Sequence, residues 1–338
     1  MSFDILKKKL KDSSLPQLLV LYGDEEYLKE FYYKKIISNS SSSSSENELV
    51  VFDGKNIDAQ QLAEAIETIP FFNDKKIVVI KDVVLSADNE AAAYIKSTAD
   101  ALPDYITLIF YLDSVKLNDN KTYEKVLKNI TGEKALFVDF KSLTYNELKD
   151  WVYRLFKKQG YEIDGKIIEY FLSVCDNSML SIKNESEKII NYTDNKNISK
   201  NLIDKLATKS SDAKIYDLTN AILSKNKDDV FIILNELLTQ GVDVHILAAS
   251  VYNKFYELYL IKSAIDSGIS NKDIGKDLSI KNEYALSKTI SNSKQVSTLY
   301  LKKCIDICHK ADYKLKLTQV DNRIILELFI GEILNLSC

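Results

Sequence analysis

Apolar residues in the first part of the chain form continuous runs that predict buried β-strands. These runs are Leu18–Tyr22, Leu49–Phe52, Ile77–Ile80, Ile106–Leu112 and Ala135–Val138. Between the runs, apolar residues recur at the spacing of one helix face, in Asp24–Ile37, Asp58–Glu67, Ala91–Ala101 and Tyr123–Ile130. Strands that are apolar throughout and alternate with helices are typical of a parallel sheet with helices on both faces.

The strand pattern stops after Phe140, and the next segment predicts helices only. Thr144 and Glu147 have the spacing of a capping box, and Asp164 and Ser199 precede two later helices as N-caps. A further helix is predicted from about Ser178 to Tyr192. Together these helices predict a small helical domain of about 70 residues.

The last part of the chain predicts more helices, with broad apolar faces. Asp243–Asp266 is apolar nearly all round, which predicts a helix that is buried on several sides. The final helices are predicted near Asn282–Ser291, Thr298–Lys316 and Val320–Leu336. Packing against sister subunits would explain so much apolar surface, and ordinary core packing explains most of it equally well.

Composition sets outer limits on this interpretation. A chain of 338 residues with 46% hydrophobic content can bury a sizeable core and predicts two or three domains. Nine glycines and three prolines are too few for a turn-rich β-protein, so helices should dominate. The net charge of −4 argues against strong autonomous binding of nucleic acid. Arg154 and Arg323 are the only arginines, which excludes a cluster of bidentate arginines.

The chain carries no pattern of export or of membrane insertion. Met1–Lys11 has lysines interleaved with apolar residues, and no apolar run approaches the roughly 20 residues that span a bilayer. We therefore expect a cytoplasmic protein without a membrane partner. The serine tract Ser40–Ser45 is interpreted as a flexible insertion before the second strand.

Two of the four cysteines lie close to a histidine, which raises the question of a metal site. Cys304, Cys308 and His309 are near one another, but both cysteines fall on an apolar helical stripe with Leu301 and Ala311. The chain has two histidines and no pair of CxxC motifs. We therefore predict core packing and no metal, and no cofactor is expected.

The turn after the first strand has the setting of a phosphate loop but not its residues. A strand, a glycine turn and a helix start form the usual cradle for a phosphate. Here Gly23 is followed by Asp24, Glu25 and Glu26, and GxxxxGK[ST] occurs nowhere in the chain. Carboxylates suit the positive end of the helix dipole, but they would repel a triphosphate. We therefore predict a degenerate nucleotide site.

Several stretches along the whole chain resemble the delta subunit of the bacterial DNA polymerase III clamp loader. They are Leu18–Leu28, Ile69–Asp82, Thr107–Leu117, Phe140–Asp164, Ile215–Asn226 and Lys303–Lys316. The resemblance implies a mainly α protein with an N-terminal α/β domain. The implied domains are an AAA+-like parallel sheet domain lacking a phosphate loop (1–140), a helical lid domain (141–210) and a helical collar domain for oligomerisation (211–338).

The resemblance also implies a function in DNA replication. Delta subunits bind the ring-shaped sliding clamp, the beta subunit, and open one of its interfaces so that it can be loaded onto primed DNA. The implied partners are the ATPase subunits (gamma/tau) and delta-prime of the same complex. The expected protein catalyses nothing itself, because polymerisation in the DNA polymerase III holoenzyme resides in other subunits.

The clamp-contacting element of the family is an exposed hydrophobic pair just before the third strand. By resemblance, that pair is Phe71 and Phe72, with Ile69 and Pro70 in support. The alternative from the residues alone is that one ring packs under the sheet and the other is partly exposed.

Three other functions would each require residues that this sequence lacks. An active ATPase would need a phosphate-loop lysine and an acidic pair after the third strand, and the segment Lys81-Asp82 does not provide that pair. A delta-prime subunit would offer a Ser-Arg-Cys finger, whereas both arginines lie in helical patterns outside the sheet domain. A helical DNA-binding adaptor would carry a stripe of basic and aromatic residues, and both the lack of such a stripe and the net negative charge count against it.

Overall fold

The structure is a computed structural model that describes residues 2–40, 49–70, 75–83, 90–98, 101–114, 135–280 and 282–337. The chain forms two compact units, Met1–Leu143 and Thr144–Cys338. Within the described ranges, no helix combines the length and the apolar character needed to cross a membrane.

The first unit is built on a parallel sheet of five strands. The strands are β1 (Leu18–Tyr22), β2 (Leu49–Asp53), β3 (Lys76–Lys81), β4 (Ile106–Tyr111) and β5 (Ala135–Asp139). They lie in the order β2-β3-β4-β1-β5, and every neighbouring pair is parallel. The five strands predicted from the sequence are confirmed, and each predicted end either agrees with the structure or differs from it by one residue.

Four described helices belong to this unit: α1 (Ser2–Lys11), α2 (Glu26–Ser40), α3 (Ala59–Glu67) and α4 (Glu90–Thr98). The helix α1 was not predicted from the sequence, because only Leu6 and Leu10 are buried among its lysines. The helix predicted at Tyr123–Ile130 lies outside the described residues, as does most of the serine tract Ser40–Ser45.

Side chains that alternate along the strands enter two separate cores. Leu18 and Val20 of β1 pack in one core with residues of α3 and α4, including Leu62 and Ile95. Leu19 and Leu21 face the opposite way, in a core that includes Leu6, Leu10, Tyr32 and Ile36 of α1 and α2. The prediction of a parallel sheet covered by helices on both faces is therefore confirmed.

In the second unit, the described residues form helices without a regular sheet. The helices are α5 (Tyr145–Lys158), α6 (Gly165–Val174), α7 (Met179–Tyr192), α8 (Lys200–Leu206), α9 (Ser211–Leu223), α10 (Lys227–Thr239), α11 (Val244–Asp266), α12 (Asn271–Asp277), α13 (Glu283–Lys294), α14 (Thr298–Leu317) and α15 (Asn322–Leu334). The capping box of Thr144 and Glu147 is present at the start of α5. Asp164 and Ser199 cap α6 and α8 as predicted.

The helix α11 is the centre of this unit. It packs against α9, α13, α14 and α15, and its residues Leu247, Val251, Phe255 and Leu258 are buried in the core. This confirms the prediction of a helix that is buried on several sides. Cys304 and Cys308 lie in the same core, as their helical spacing predicts. The division of this unit into a lid and a collar near residue 210 stays a prediction.

Candidate functional site

The carboxyl ends of β1 and β4 form the crevice in which parallel sheets of this kind bind ligands. These two strands are neighbours, but the strands that follow them in the chain, β2 and β5, lie on opposite sides of the pair. Such a reversal opens a crevice at the carboxyl ends of the strands. The turn at Gly23 follows β1, and Leu112 and Asp113 follow β4. The predicted degenerate nucleotide site therefore lies at the expected place in the fold.

The Gly23 turn is fixed against the segment that follows β5. Gly23 has a φ of +116°, and a Cβ atom at this position would lie 2.5 Å from the Phe140 carbonyl oxygen. The Glu25 amide donates to that oxygen at 2.8 Å, and the Phe140 amide donates to the Tyr22 carbonyl at 2.7 Å. Only glycine has both the backbone freedom and the small volume that this contact requires.

A buried lysine lies at this crevice and was not predicted from the sequence. The Lys29 side chain is 1% exposed. Its ammonium donates to the Gly23 carbonyl at 3.2 Å, the Leu112 carbonyl at 2.9 Å and the Asp113 carboxylate Oδ1 at 2.9 Å. All three acceptors belong to the protein, so the lysine is fully engaged within the chain.

The position of Lys29 in the sequence could have drawn attention to it. It stands six residues after Gly23, the separation between the first glycine and the lysine of GxxxxGK[ST]. Leu28 occupies the place of the second glycine, and Glu30 that of the serine or threonine. A lysine is therefore present at this spacing, and the protein itself supplies its anionic partner. The degenerate nucleotide site at Gly23, Asp24, Glu25 and Glu26 stays a prediction.

Three acids follow Gly23 in the turn whose carbonyl accepts a hydrogen bond from Lys29. Asp24 and Glu26 are exposed, whereas Glu25 is partly buried. Burial raises the pKa of the Glu25 carboxyl, and the neighbouring Glu26 raises it further, against the lowering effect of a hydrogen bond from the Tyr27 amide. Burial also raises the pKa of the Tyr111 hydroxyl, with a further contribution from Asp113.

Asp82 joins the ends of β3 and β4 beside the crevice. Its Oδ1 accepts from the Asp113 amide at 2.7 Å and from the Ser114 amide at 2.9 Å. The Ser114 hydroxyl donates to its Oδ2 at 3.0 Å. Asp82 itself has a φ of +51°, which aspartate tolerates better than most residues. The acid that directly follows β3 is therefore hydrogen-bonded to the backbone after β4.

The segment before β3 has an exposed apolar residue that follows a helix end held by hydrogen bonds. The Tyr105 hydroxyl donates to the Glu67 carbonyl at 2.9 Å, and the Tyr94 hydroxyl donates to the Glu67 carboxylate at 3.3 Å. These bonds hold the last residue of α3. Ile69, two residues later, is 68% exposed, and Pro70 is partly exposed. Phe71 and Phe72 lie outside the described residues, so their place remains a prediction.

A row of aromatic rings crosses two helices of the second unit. Tyr252 stacks on Tyr256 at 5.9 Å between ring centroids and contacts His309 of α14 at 4.9 Å, and Tyr256 lies 6.4 Å from Tyr259. The Lys302 ammonium lies 5.8 Å from the centre of the Tyr259 ring. We call Tyr252, Tyr256, Tyr259 and His309 the aromatic row. The aromatic row was not predicted from the sequence, because its residues come from two helices, α11 and α14, that are distant in the chain.

Two family models match the chain. The one described as DNA polymerase III, delta subunit matches residues 19–141, and the one described as DNA polymerase III delta subunit, C-terminal domain, matches residues 212–333.

Proteins of known name and structure are similar to the chain over nearly its whole length. DNA polymerase III subunit delta of Bacillus subtilis (strain 168) is 23% identical, with 99% of this chain and 97% of the relative covered. The probable DNA polymerase III subunit delta of Aquifex aeolicus (strain VF5) is 22% identical, with coverages of 93% and 90%. The solved structure of the Bacillus subtilis DNA clamp loader delta protein has the same fold, with a TM-score of 0.55, 23% identity and coverages of 99% and 100%. The two family models together match well over half of the chain, which therefore belongs to the family of DNA polymerase III delta subunits.

Proposed function

We propose that this protein is the non-ATPase subunit of the DNA polymerase III clamp loader that binds and opens the sliding clamp for loading onto primed DNA. Membership of the delta family supports the assignment to the clamp loader. The observation that carries the non-ATPase part is the burial of Lys29 against Gly23, Leu112 and Asp113. On this proposal, the protein catalyses no reaction, and ATP hydrolysis and polymerisation belong to other subunits.

The groups that a phosphate loop offers to a nucleotide are used internally in this protein. The Glu25 amide is bonded to the Phe140 carbonyl, and the Lys29 ammonium is bonded to Asp113 and two carbonyls. A bound triphosphate would have to displace these partners and would then lie beside Asp24, Glu25 and Glu26. Loss of the existing bonds and repulsion between like charges both oppose binding.

The proposed clamp-binding element is Phe71 and Phe72, supported by Ile69 and Pro70. Ile69 is an exposed apolar residue of the same segment. The end of α3, just before Ile69, is fixed by the hydrogen bond from Tyr105 to the Glu67 carbonyl. Burying each phenylalanine ring in a pocket of the clamp would contribute ~1.5–3 kcal/mol. A cluster of this size at the centre of an interface is typical of a binding hot spot.

The direct test is a pull-down of the purified protein with its cognate sliding clamp, without nucleotide and without the other subunits. We expect the clamp to be retained. The matched control is the same pull-down with the Phe71→Ala/Phe72→Ala variant, and this variant should retain little of the clamp. Failure of the unmodified protein to retain the clamp, with its fold intact by circular dichroism, would refute the proposed function.

The second unit supports assembly with the ATPase subunits (gamma/tau) and delta-prime through residues 211–338. Ile324 and Leu328 lie one turn apart on α15 and are 51% and 65% exposed. Apolar residues at such spacing on an exposed helix face are typical of a protein interface. We expect Ile324→Asp/Leu328→Asp to weaken assembly at least tenfold in an analytical size-exclusion titration, about 1.4 kcal/mol or more.

The control for this assembly test is Leu180→Asp, which places a charge on an exposed apolar position of α7 in the same unit. That variant should assemble normally. Normal assembly of the α15 variant as well would show that this face is not the interface.

The aromatic row supports a contact with the single-stranded part of primed DNA inside the assembled complex. Tyrosine rings that follow one another along a surface offer stacking platforms for successive bases, and Lys302 adds a positive charge beside them. Because the whole chain carries a net charge of −4, we expect this contact to depend on the assembly rather than on the isolated subunit.

A further inference from the structure

We propose that Asp113 is the internal anion of Lys29, and that the two residues form a latch that holds the Gly23 turn to the end of β4 in the absence of nucleotide. The latch concerns the residues of the sheet unit alone and does not depend on binding of the clamp. Its consequence is that the conformation of this edge of the sheet is independent of ATP.

The Lys29 ammonium is a buried charge that requires a counter-charge. The Lys29 side chain is 1% exposed, whereas the Asp113 side chain is 52% exposed. Two of the contacts of Lys29 are neutral carbonyls, and Asp113 is the one that carries a full negative charge. A buried ammonium needs such a counter-charge far more than a half-exposed carboxylate needs the ammonium.

Asp113 is also held in place. Asp82 accepts hydrogen bonds from the Asp113 and Ser114 amides and so fixes the backbone that carries the Asp113 carboxylate. The latch therefore joins three segments: the turn after β1, the residue after β3 and the turn after β4. Because its backbone is already fixed, Asp113 loses little conformational entropy when its carboxylate pairs with Lys29.

A carboxylate and a phosphate are chemically equivalent partners for the lysine. In a phosphate loop, the lysine donates to a phosphate oxygen, which is an anionic acceptor like a carboxylate oxygen. Lys29 stands at the spacing of that lysine, and Asp113 offers an oxygen at 2.9 Å. The charge that a nucleotide would neutralise is thereby neutralised within the chain.

The asymmetry in burial makes the latch testable by a double-mutant cycle. Asp113→Asn leaves a buried ammonium without a counter-charge, so the melting temperature should fall by about 5 °C or more. In a Lys29→Met background the same substitution meets no ammonium, and its effect should shrink to about 1 °C. Lys29→Gln repeats the cycle with a neutral side chain that still donates to the carbonyls, in case the methionine variant does not fold.

A surface ion pair supplies the control. Lys316 and Asp312 are 2.8 Å apart, and both side chains are more than half exposed. Asp312→Asn should shift the melting temperature by no more than about 1 °C, because water replaces the lost partner. The comparison of Asp113 with Asp312 isolates the effect of burying the lysine.

Hydrogen exchange distinguishes a latch from a general contribution to stability. In Asp113→Asn protein, amides of residues 24–29 and 112–114 should exchange several-fold faster, while those of α3 stay protected. In the unmodified protein, saturating MgATP should leave all of these rates unchanged. The latch is refuted if Asp113→Asn has the same effect with Lys29 present or absent, or if MgATP protects the turn. Clamp retention is measured separately, so the clamp-binding part of the proposed function can fail without the latch. The double-mutant cycle can refute the latch without affecting the proposed function, whereas protection of the turn by MgATP would refute both the latch and the non-ATPase part.

Discussion

The two ends of the parallel strands, carboxyl and amino, differ in what they offer to a ligand. At the carboxyl ends of β1 and β4, where a phosphate-loop fold binds its nucleotide, Lys29, Asp113 and Asp82 close the crevice with internal hydrogen bonds. At the opposite end, the segment before β3 carries an exposed Ile69 on a helix end that is fixed by Tyr105. One end of the sheet is therefore closed by its own side chains, whereas the other carries an exposed apolar residue next to a fixed helix end.

The largest expected effect belongs to the exposed end. Replacing Phe71 and Phe72 with alanine should cost ~2–5 kcal/mol of clamp affinity, a loss of roughly 30- to 5,000-fold, because we propose that the two rings form the hot spot. The melting temperature should not change, since the rings are proposed to be exposed in the free protein. Titration of the clamp and a melting curve on the same variant measure both quantities.

A matched control for this variant is Phe31→Ala, which removes an exposed phenylalanine from α2 of the same unit. It should leave the clamp affinity unchanged. If the Phe71 and Phe72 variant binds the clamp normally, the proposed element is wrong. If it instead melts at a much lower temperature, the rings belong to the core.

A substitution at the crevice should lower the stability of the fold and leave the clamp affinity unchanged, the opposite of the result expected for Phe71 and Phe72. Gly23→Ala places a Cβ against the Phe140 backbone at a positive φ, which should destabilise the fold by about 1–3 kcal/mol. Clamp affinity should survive, because the substitution lies at the other end of the sheet. Thermal unfolding measures the first effect and the clamp titration the second.

Gly331→Ala is the control for glycine replacement, since it lies in α15 with nothing near its added Cβ. It should raise the stability by about 0.5–1 kcal/mol through helix propensity. A Gly23→Ala protein as stable as the unmodified protein would show that the turn is not fixed against Phe140.

The smallest effect concerns Glu25 and the pH. Because burial raises the pKa of this carboxyl in the folded state, the charged form that prevails at neutral pH is destabilising there. Glu25→Gln should therefore be more stable by a few tenths of a kcal/mol at pH 7. The difference should disappear below about pH 4, where the carboxyl is protonated in both states. Denaturant unfolding at several pH values tests this.

Glu26→Gln serves as the comparison for that measurement. Glu26 is exposed at the first position of α2, where its charge favours the helix dipole, so its removal should slightly lower stability at pH 7. A Glu25→Gln variant that is less stable than the unmodified protein at neutral pH would contradict the assigned cause of the raised pKa.

The sequence was sufficient for features that depend on local pattern. The strands were predictable because Leu18 to Leu21 are apolar toward both faces, and the helix starts because Thr144 and Glu147 form a capping box on their own. The burial of Lys29 was not predictable, since its partners Leu112 and Asp113 lie 83 and 84 residues later in the chain. The helix α12 was missed because only Ile274 and Gly275 are buried in it.

The measurement that tests the central claim most directly is calorimetric titration of MgATP into the isolated, unmodified protein, followed by titration of the sliding clamp into the same sample. We expect no binding heat for MgATP, because the Lys29 ammonium and the Glu25 amide are hydrogen-bonded within the chain. We expect the clamp to bind with equal affinity with and without the nucleotide. Micromolar binding of MgATP would contradict the central claim, because the crevice would then still be a nucleotide site.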